Sequence, residues 1–153
     1  MKEKKEKNKE EYRKWKSMGY KIVFTNGCFD LLHQGHLDLL ASAAKLGDRL
    51  IVGLNSDKSV KILKGENRPI EKEAIRESKL IELKYVDSVY IFDEKTPLKI
   101  IQKIKPDVLV KGGDYKKDEI VGNVEISNWG GSIEIIPLTP GHSTTEIIKK
   151  NKM

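Results

Sequence analysis

A β-branched and aromatic run at 21–25, Lys-Ile-Val-Phe-Thr, leads directly into Asn26-Gly27 and then into a helical pattern. The run reads as a buried strand, and Asn26-Gly27 breaks it. From Leu37 onward the apolar residues Leu37, Leu40, Ala41 and Ala44 fall at i, i+3, i+4 and i+7, one face of a helix that Gly47 can stop. His33 and His36 therefore stand where that helix begins. A helix start presents unpaired backbone N–H groups and positive partial charge, which suits a phosphate. Two imidazoles three positions apart can face one anion there. Gly35 between them removes a side chain where a ligand would come close. A pair satisfied by local backbone and half of a metal site are the other readings of these histidines. No second His/Cys pair stands at ligand spacing, which counts against a metal.

The rest of the chain repeats the alternation. Strand patterns occupy 49–55, 86–92, 107–111 and 132–138. Helical patterns occupy 71–83, 97–105 with Thr96 as cap and Pro97 at the first helical position, and 117–128. A strand-helix-strand unit of this length implies parallel strands joined by a right-handed crossover. The spacing thus predicts an α/β fold: a Rossmann-like open parallel five-stranded sheet with helices on both faces. A length of 153 residues suits one such domain. Residues 1–19 read as a charged N-terminal helix with a thin apolar stripe of Tyr12, Trp15 and Met18, and 20–153 as the domain itself.

Charge narrows the function classes. Eight Lys/Arg and four Glu within the first twenty residues place +4 of the net +6 at that end. Mixed signs favour a solvated helix there over a nucleic-acid grip. No apolar run approaches a membrane span or a signal-peptide core, so no membrane partner is expected. The single cysteine, Cys28, excludes an intrachain disulfide and fits a reducing, cytoplasmic setting. There is no G-x-G-x-x-G after the first strand and no G-x4-G-K-[ST], which removes a dehydrogenase and a P-loop kinase.

Three further stretches carry phosphate chemistry. Lys58, Lys61 and Lys64 recur after the second strand, followed by Arg68-Pro69. Ligands of open α/β sheets bind beyond the carboxyl ends of strands, which is where these cations fall. Lys111-Gly-Gly-Asp-Tyr115 follows the fourth strand. Its glycines permit close backbone approach, and Tyr115 offers a flat face or a hydroxyl. Ser143-Thr144-Thr145 follows Pro140-Gly141 at the start of an apolar-periodic helix, and three consecutive hydroxyls there suggest an anion site.

His33-Gln34-Gly35-His36 resembles the HxGH signature of the nucleotidyltransferase superfamily. Asn26-Gly-Cys-Phe-Asp30 and Leu46-Gly-Asp48 resemble its cytidylyltransferase-like branch. Lys105-Pro-Asp-Val-Leu-Val followed by Lys111-Gly-Gly-Asp-Tyr115 is similar to heptose-phosphate nucleotidyltransferases. The resemblance covers about residues 20–150. It implies catalytic roles for His33, His36 and Lys64. It implies nucleotide binding by Asn26, Gly27, Cys28, Phe29, Gly35, Lys111, Gly113, Asp114, Tyr115, Ser143, Thr144 and Thr145. Asp30, Lys61, Arg68 and Arg76 fall on its substrate-phosphate positions, the last two on an Arg-Pro-x6-Arg pattern. No protein-held metal is implied, and Mg2+ would arrive with ATP.

The implied reaction moves AMP from ATP to D-glycero-D-manno-heptose 1-phosphate, giving ADP-heptose and pyrophosphate for lipopolysaccharide synthesis. A homodimer is expected from the family. Such a reaction needs no triad, because a sugar-phosphate oxygen is already an anionic nucleophile. It needs alignment and charge neutralisation. A cytidylyltransferase acting on glycerol 3-phosphate or another polyol phosphate is the alternative within the class. A non-catalytic nucleotide- or nucleic-acid-binding module is the alternative outside it.

Overall fold

The computed structural model describes residues 10–113 and 115–137. Five strands are present among them: β1 (Ile22–Gly27), β2 (Arg49–Asn55), β3 (Ser88–Phe92), β4 (Val108–Gly112) and β5 (Ser132–Ile136). They form one parallel sheet in the order β3-β2-β1-β4-β5. The helices are α1 (Glu11–Ser17), α2 (Gln34–Ala44), α3 (Asp57–Lys64), α4 (Glu73–Ile81), α5 (Leu98–Ile104) and α6 (Asn123–Asn128). This is the Rossmann-like α/β architecture that the alternating pattern predicts.

The strands are apolar on both sides because both sides are covered. Successive residues point to opposite faces. Val23, Leu50, Val52 and Leu54 pack with Leu40 and Ala43 of α2 and Leu80 of α4. Ile22, Phe24 and Ile51 pack on the other face with Tyr12 and Trp15 of α1, Ile101 and Ile104 of α5 and Ile126 of α6. Gly53 leaves room for the Phe24 ring, since a Cβ there would lie 2.6 Å from it.

One device recurs at the amino ends of the strands. Asp48, Asp87 and Asp107 each immediately precede a strand and accept a hydrogen bond from the backbone at or next to the start of the strand beside it. The donors are the N–H groups of Lys21 (2.7 Å), Leu50 (2.8 Å) and Ile22 (2.8 Å). Three edges of the ladder are thereby closed with charge-assisted bonds.

Some local expectations need correction. The pattern at 117–128 is not one helix. A 3-10 turn at Lys117–Glu119 is followed by Gly122 in a left-handed conformation (φ +95°), and only then by α6. A side chain at Gly122 would press on Ile101, so the break is built into the packing. Pro97 is the capping residue of α5 rather than its first helical residue. Met18 is 52% exposed and does not join the stripe of Tyr12 and Trp15, which are buried. Asp114, His142 and Ser143 to Thr145 lie outside the described residues.

Candidate active site

The chain builds outward from β1 to β2 and β3, then returns to place β4 on the other side of β1. That reversal makes a crevice between the carboxyl ends of β1 and β4, the place where open parallel sheets bind ligands. Asn26-Gly27 ends one strand and Lys111-Gly112 the other. Two hollows open there. The larger, of about 450 Å3, has walls from Leu63, Pro97, Ile120 and Val121 together with Asn55, Lys95, Thr96 and Glu119. The smaller, of about 160 Å3, reaches Phe29, Asp30, His36, Leu39 and Gly112. Asn26, Gly27, Cys28, Lys64, Lys111 and Tyr115 line both.

The histidines form a reciprocal box at the start of α2. His33 is the capping residue (φ −132°, ψ 176°), and its Nδ1 accepts from the backbone N–H of His36 at 3.4 Å. Nδ1 of His36 accepts from the backbone N–H of His33 at 3.3 Å. The rings stack with centroids 3.7 Å apart. This is a capping box made with imidazoles. A neutral imidazole whose Nδ1 accepts carries its proton on Nε2, so each ring is held as an Nε2–H donor. Burial, then the nearby His33 and Lys64, lower the His36 pKa to about 4. His36 is thus a neutral donor near pH 7, with the Phe29 ring edge-on at 5.2 Å. Of these two, it is His36 that lines the smaller hollow; His33 stands against the His36 ring.

The loop between β1 and α2 carries two non-glycine residues with positive φ, Phe29 (47°) and Leu31 (60°). Such conformations persist when the surroundings hold them. Asp30 is 1% exposed and accepts from the N–H groups of Ile70 (2.7 Å) and Glu71 (2.9 Å) and from Nε of Arg68 (3.1 Å). Burial pushes its carboxyl up, but those donors hold it below the usual range.

Arg76 is fully buried in α4. Its Nε donates to the Glu71 carbonyl, Nη1 to the carbonyls of Cys28 and Asn55, and Nη2 to Asp57, all at 2.7–2.8 Å. It ties the β1 loop, the end of β2 and the start of α3 together. Arg76, expected on a substrate phosphate, instead frames the site, and burial removes it from a ligand's reach. Asp30 touches the smaller hollow, yet its oxygens are engaged by the 68–71 segment. Arg68 points at Asp30 and lines neither hollow; nor does Lys61, exposed on α3.

Lys64 ends α3, whose start is capped by Ser56 accepting from Ser59 N–H at 3.1 Å. Gly65 follows with φ +103°. Lys111 is half-buried, with its ammonium 5.4 Å from the centre of the Tyr115 ring. Burial lowers its pKa. Burial also raises the Cys28 thiol, only partly opposed by Lys64, Arg76 and Arg68. Gly27 makes room for Phe29, whose ring a Cβ would meet at 3.1 Å. Gly35 is buried in the first turn of α2, and Gly113 turns the chain after β4, donating to the Ile136 carbonyl at 3.0 Å. Sequence reasoning missed the walls given by Asn55, Lys95, Thr96, Pro97 and Ile120. Their signal was position: Asn55 is the last residue of β2, and Lys95 to Pro97 follow the carboxyl end of β3.

Among the described residues, no group of three or more His, Cys, Asp or Glu is placed to hold a metal ion. The donor set at the crevice, ammonium groups and an imidazole N–H, fits an anion.

Bifunctional protein HldE of Methylobacillus flagellatus is 51% identical over 136 residues, and that of Koribacter versatilis 52% over 137 residues. These matches take in 89% and 90% of this chain, which spans 28% of the length of each relative. Among solved structures, the lipopolysaccharide core biosynthesis protein from Thermoplasma volcanium superposes with a TM-score of 0.65 at 34% identity, over 79% of this chain and 98% of that one. The family model described as Cytidylyltransferase-like matches residues 24–150, from within β1 through the whole described crevice. With that span and those identities, the chain belongs to the cytidylyltransferase-like family.

Proposed function

We propose that this chain is a nucleotidyltransferase that moves AMP from ATP onto D-glycero-D-manno-heptose 1-phosphate. The observation that carries the proposal is the pair of adjoining hollows over the carboxyl ends of β1 and β4, with Lys64 and Lys111 on the walls of both and His36 on the smaller. Half-identity to HldE proteins and likeness to a lipopolysaccharide core biosynthesis protein support heptose as the acceptor.

The chemistry follows from the donors. A phosphate oxygen of the sugar attacks the α-phosphorus of ATP. The bond from that phosphorus to the oxygen bridging the β-phosphorus breaks, and its electron pair leaves with pyrophosphate. The nucleophile needs no base. His36 Nε2–H donates to a phosphate oxygen as charge grows, with His33 stacked behind it and holding its tautomer. A neutral donor fixed before reaction needs no reorganisation during it. Lys64 supplies a point charge. Ser143, Thr144 and Thr145 hold the β- and γ-phosphates in this reading, and Mg2+ enters with ATP as part of the substrate. The enzyme works as a homodimer in the cytoplasm.

Pyrophosphate release over ATP, CTP and GTP, each with heptose 1-phosphate and with glycerol 3-phosphate, tests the proposal. ATP with the heptose is expected to be fastest. A preference for CTP with glycerol 3-phosphate would replace it with a polyol-phosphate cytidylyltransferase. Release from no nucleotide, alongside tight, salt-steep RNA binding, would replace it with a binding module.

A further inference from the structure

We propose that Lys111 is a catalytic residue whose ammonium group bears on the α-phosphate at the junction of the two hollows. The proposal rests on the nucleotidyl-transfer reading and adds to it the place where the reacting atom sits. Two substrates that react must meet, and residues on the walls of both hollows mark the meeting point. Among the described residues six do so, and of those six only Lys64 and Lys111 carry a full positive charge.

The two lysines differ in how they are held. Lys64 is exposed at the tip of α3, beside Gly65. Its long side chain must be ordered at each turnover. Lys111 is half-buried on β4, a strand paired with β1 on one side and β5 on the other. A charge carried by the sheet is positioned before the ligand arrives, the condition under which electrostatic stabilisation of a transition state is greatest.

Lys111 is also uncommitted with respect to the described residues. Among the described residues, none of the five ion pairs includes it, and its ammonium lies over the Tyr115 ring. Burial lowers its pKa, with Cys28 acting in the opposite sense. The other titratable walls are His36 from α2, Asp30 and Cys28 from the β1 loop, Lys64 from α3, Lys95 before α5, and Tyr115 and Glu119 after β4. Of these, Asp30 is occupied by Arg68 and two backbone N–H groups. A bound polyphosphate reverses the balance and favours the ammonium form, so nucleotide binding takes up a proton at alkaline pH. Lys111 moves no proton in the reaction itself.

Two variants test this, with Mg-ATP and heptose 1-phosphate as probes. Lys111→Met should lower kcat by roughly 100-fold or more, weaken Mg-ATP binding by less than about tenfold, and leave thermal unfolding nearly unchanged. Lys111→Arg keeps the charge but cannot titrate. It should recover part of kcat and extend the alkaline limb of the kcat/KM profile. Calorimetry of Mg-ATP binding in buffers of different ionisation enthalpy should show proton uptake in the unaltered protein and less in Lys111→Arg. An active protein whose Lys111→Met variant keeps full kcat, or whose proton uptake is equal in Lys111→Arg, overturns the proposal and leaves the nucleotidyl-transfer reading standing. If the unaltered protein releases pyrophosphate from no nucleotide, that reading falls and the catalytic role with it; calorimetry then still reports whether Lys111 meets the nucleotide.

Discussion

Arg76 and Lys111 are both basic and both reach the neighbourhood of Cys28, and the fold uses them in opposite ways. Arg76 is fully buried and donates to three carbonyls and Asp57, so its charge is spent on the frame. Lys111 lines the crevice without a carboxylate partner among the described residues. The same division separates Asp30, Arg68 and Arg76 from Lys64, Lys111 and His36. The first set holds a strained loop in place; the second faces the space where a ligand sits. A buried charge with all its partners is costly to disturb, whereas an uncommitted one is available for binding.

Breaking the frame should have the largest effect. Arg76→Ala leaves three carbonyls and the Asp57 carboxylate without their donor, and should cost about 3–5 kcal/mol. Arg76→Lys should recover little, because one ammonium cannot span the fork that the guanidinium fills. Chemical denaturation reads both. Unfolding midpoints equal to that of the parent protein would remove the distinction between frame and site.

His36→Ala should lower kcat by roughly two to three orders of magnitude, the loss of one transition-state donor. It also removes half of the reciprocal box, so stability should fall by about 1 kcal/mol, the usual worth of a helix cap. Steady-state kinetics beside a thermal melt separates the two losses. Near-normal turnover would take His36 out of the reaction.

The same residue predicts how stability follows pH. The His36 pKa is lowered to about 4 by burial first, then by His33 and Lys64. Unfolded, it titrates near 6.5. Between those values the unfolded chain binds the extra proton, so stability falls as pH drops from about 6.5 toward about 4 and is level above that window with respect to this group. Denaturation midpoints across the range should slope less in His36→Gln. An unchanged slope would mean that other groups dominate.

The smallest effect sharpens the comparison within one helix. Lys61 and Lys64 both lie on α3, but only Lys64 lines the hollows. Lys64→Ala should cost roughly tenfold or more in kcat/KM, and Lys61→Ala less than about twofold, since exposed charges away from a ligand are worth little. Equal losses would place the phosphates further along α3 than the crevice suggests.

Local pattern was enough for much of this. The run 49–55 is β2 to the residue, and the fourth strand is found within one position. His36 and Lys111 were legible as candidates because a helix start and a strand end announce themselves along a few residues, whereas the choice of Lys64 over Lys58 and Lys61 came with the family resemblance. The helix read over 117–128 was broken by Gly122, whose conformation answers to Ile101 on another helix. Arg76 was placed on a substrate phosphate by the resemblance to the Arg-Pro-x6-Arg pattern, and no local pattern along the chain marks it as fully buried.

The sequence by itself determined the class of fold, through apolar runs of strand length alternating with helical patterns, and the kinds of chemistry available, through where lysines, histidines and glycines fall relative to strand ends. Only the tertiary structure decided which charges are frame and which are free. Arg76 meets the Cys28 carbonyl across 48 positions, and Asp30 meets the Ile70 amide across 40. It also decided the histidine tautomers, because those depend on two rings closing on each other's backbone within the first turn of α2. Burial and partner choice are properties of chain segments brought together, and they set whether a charge is consumed by the fold or left for a ligand.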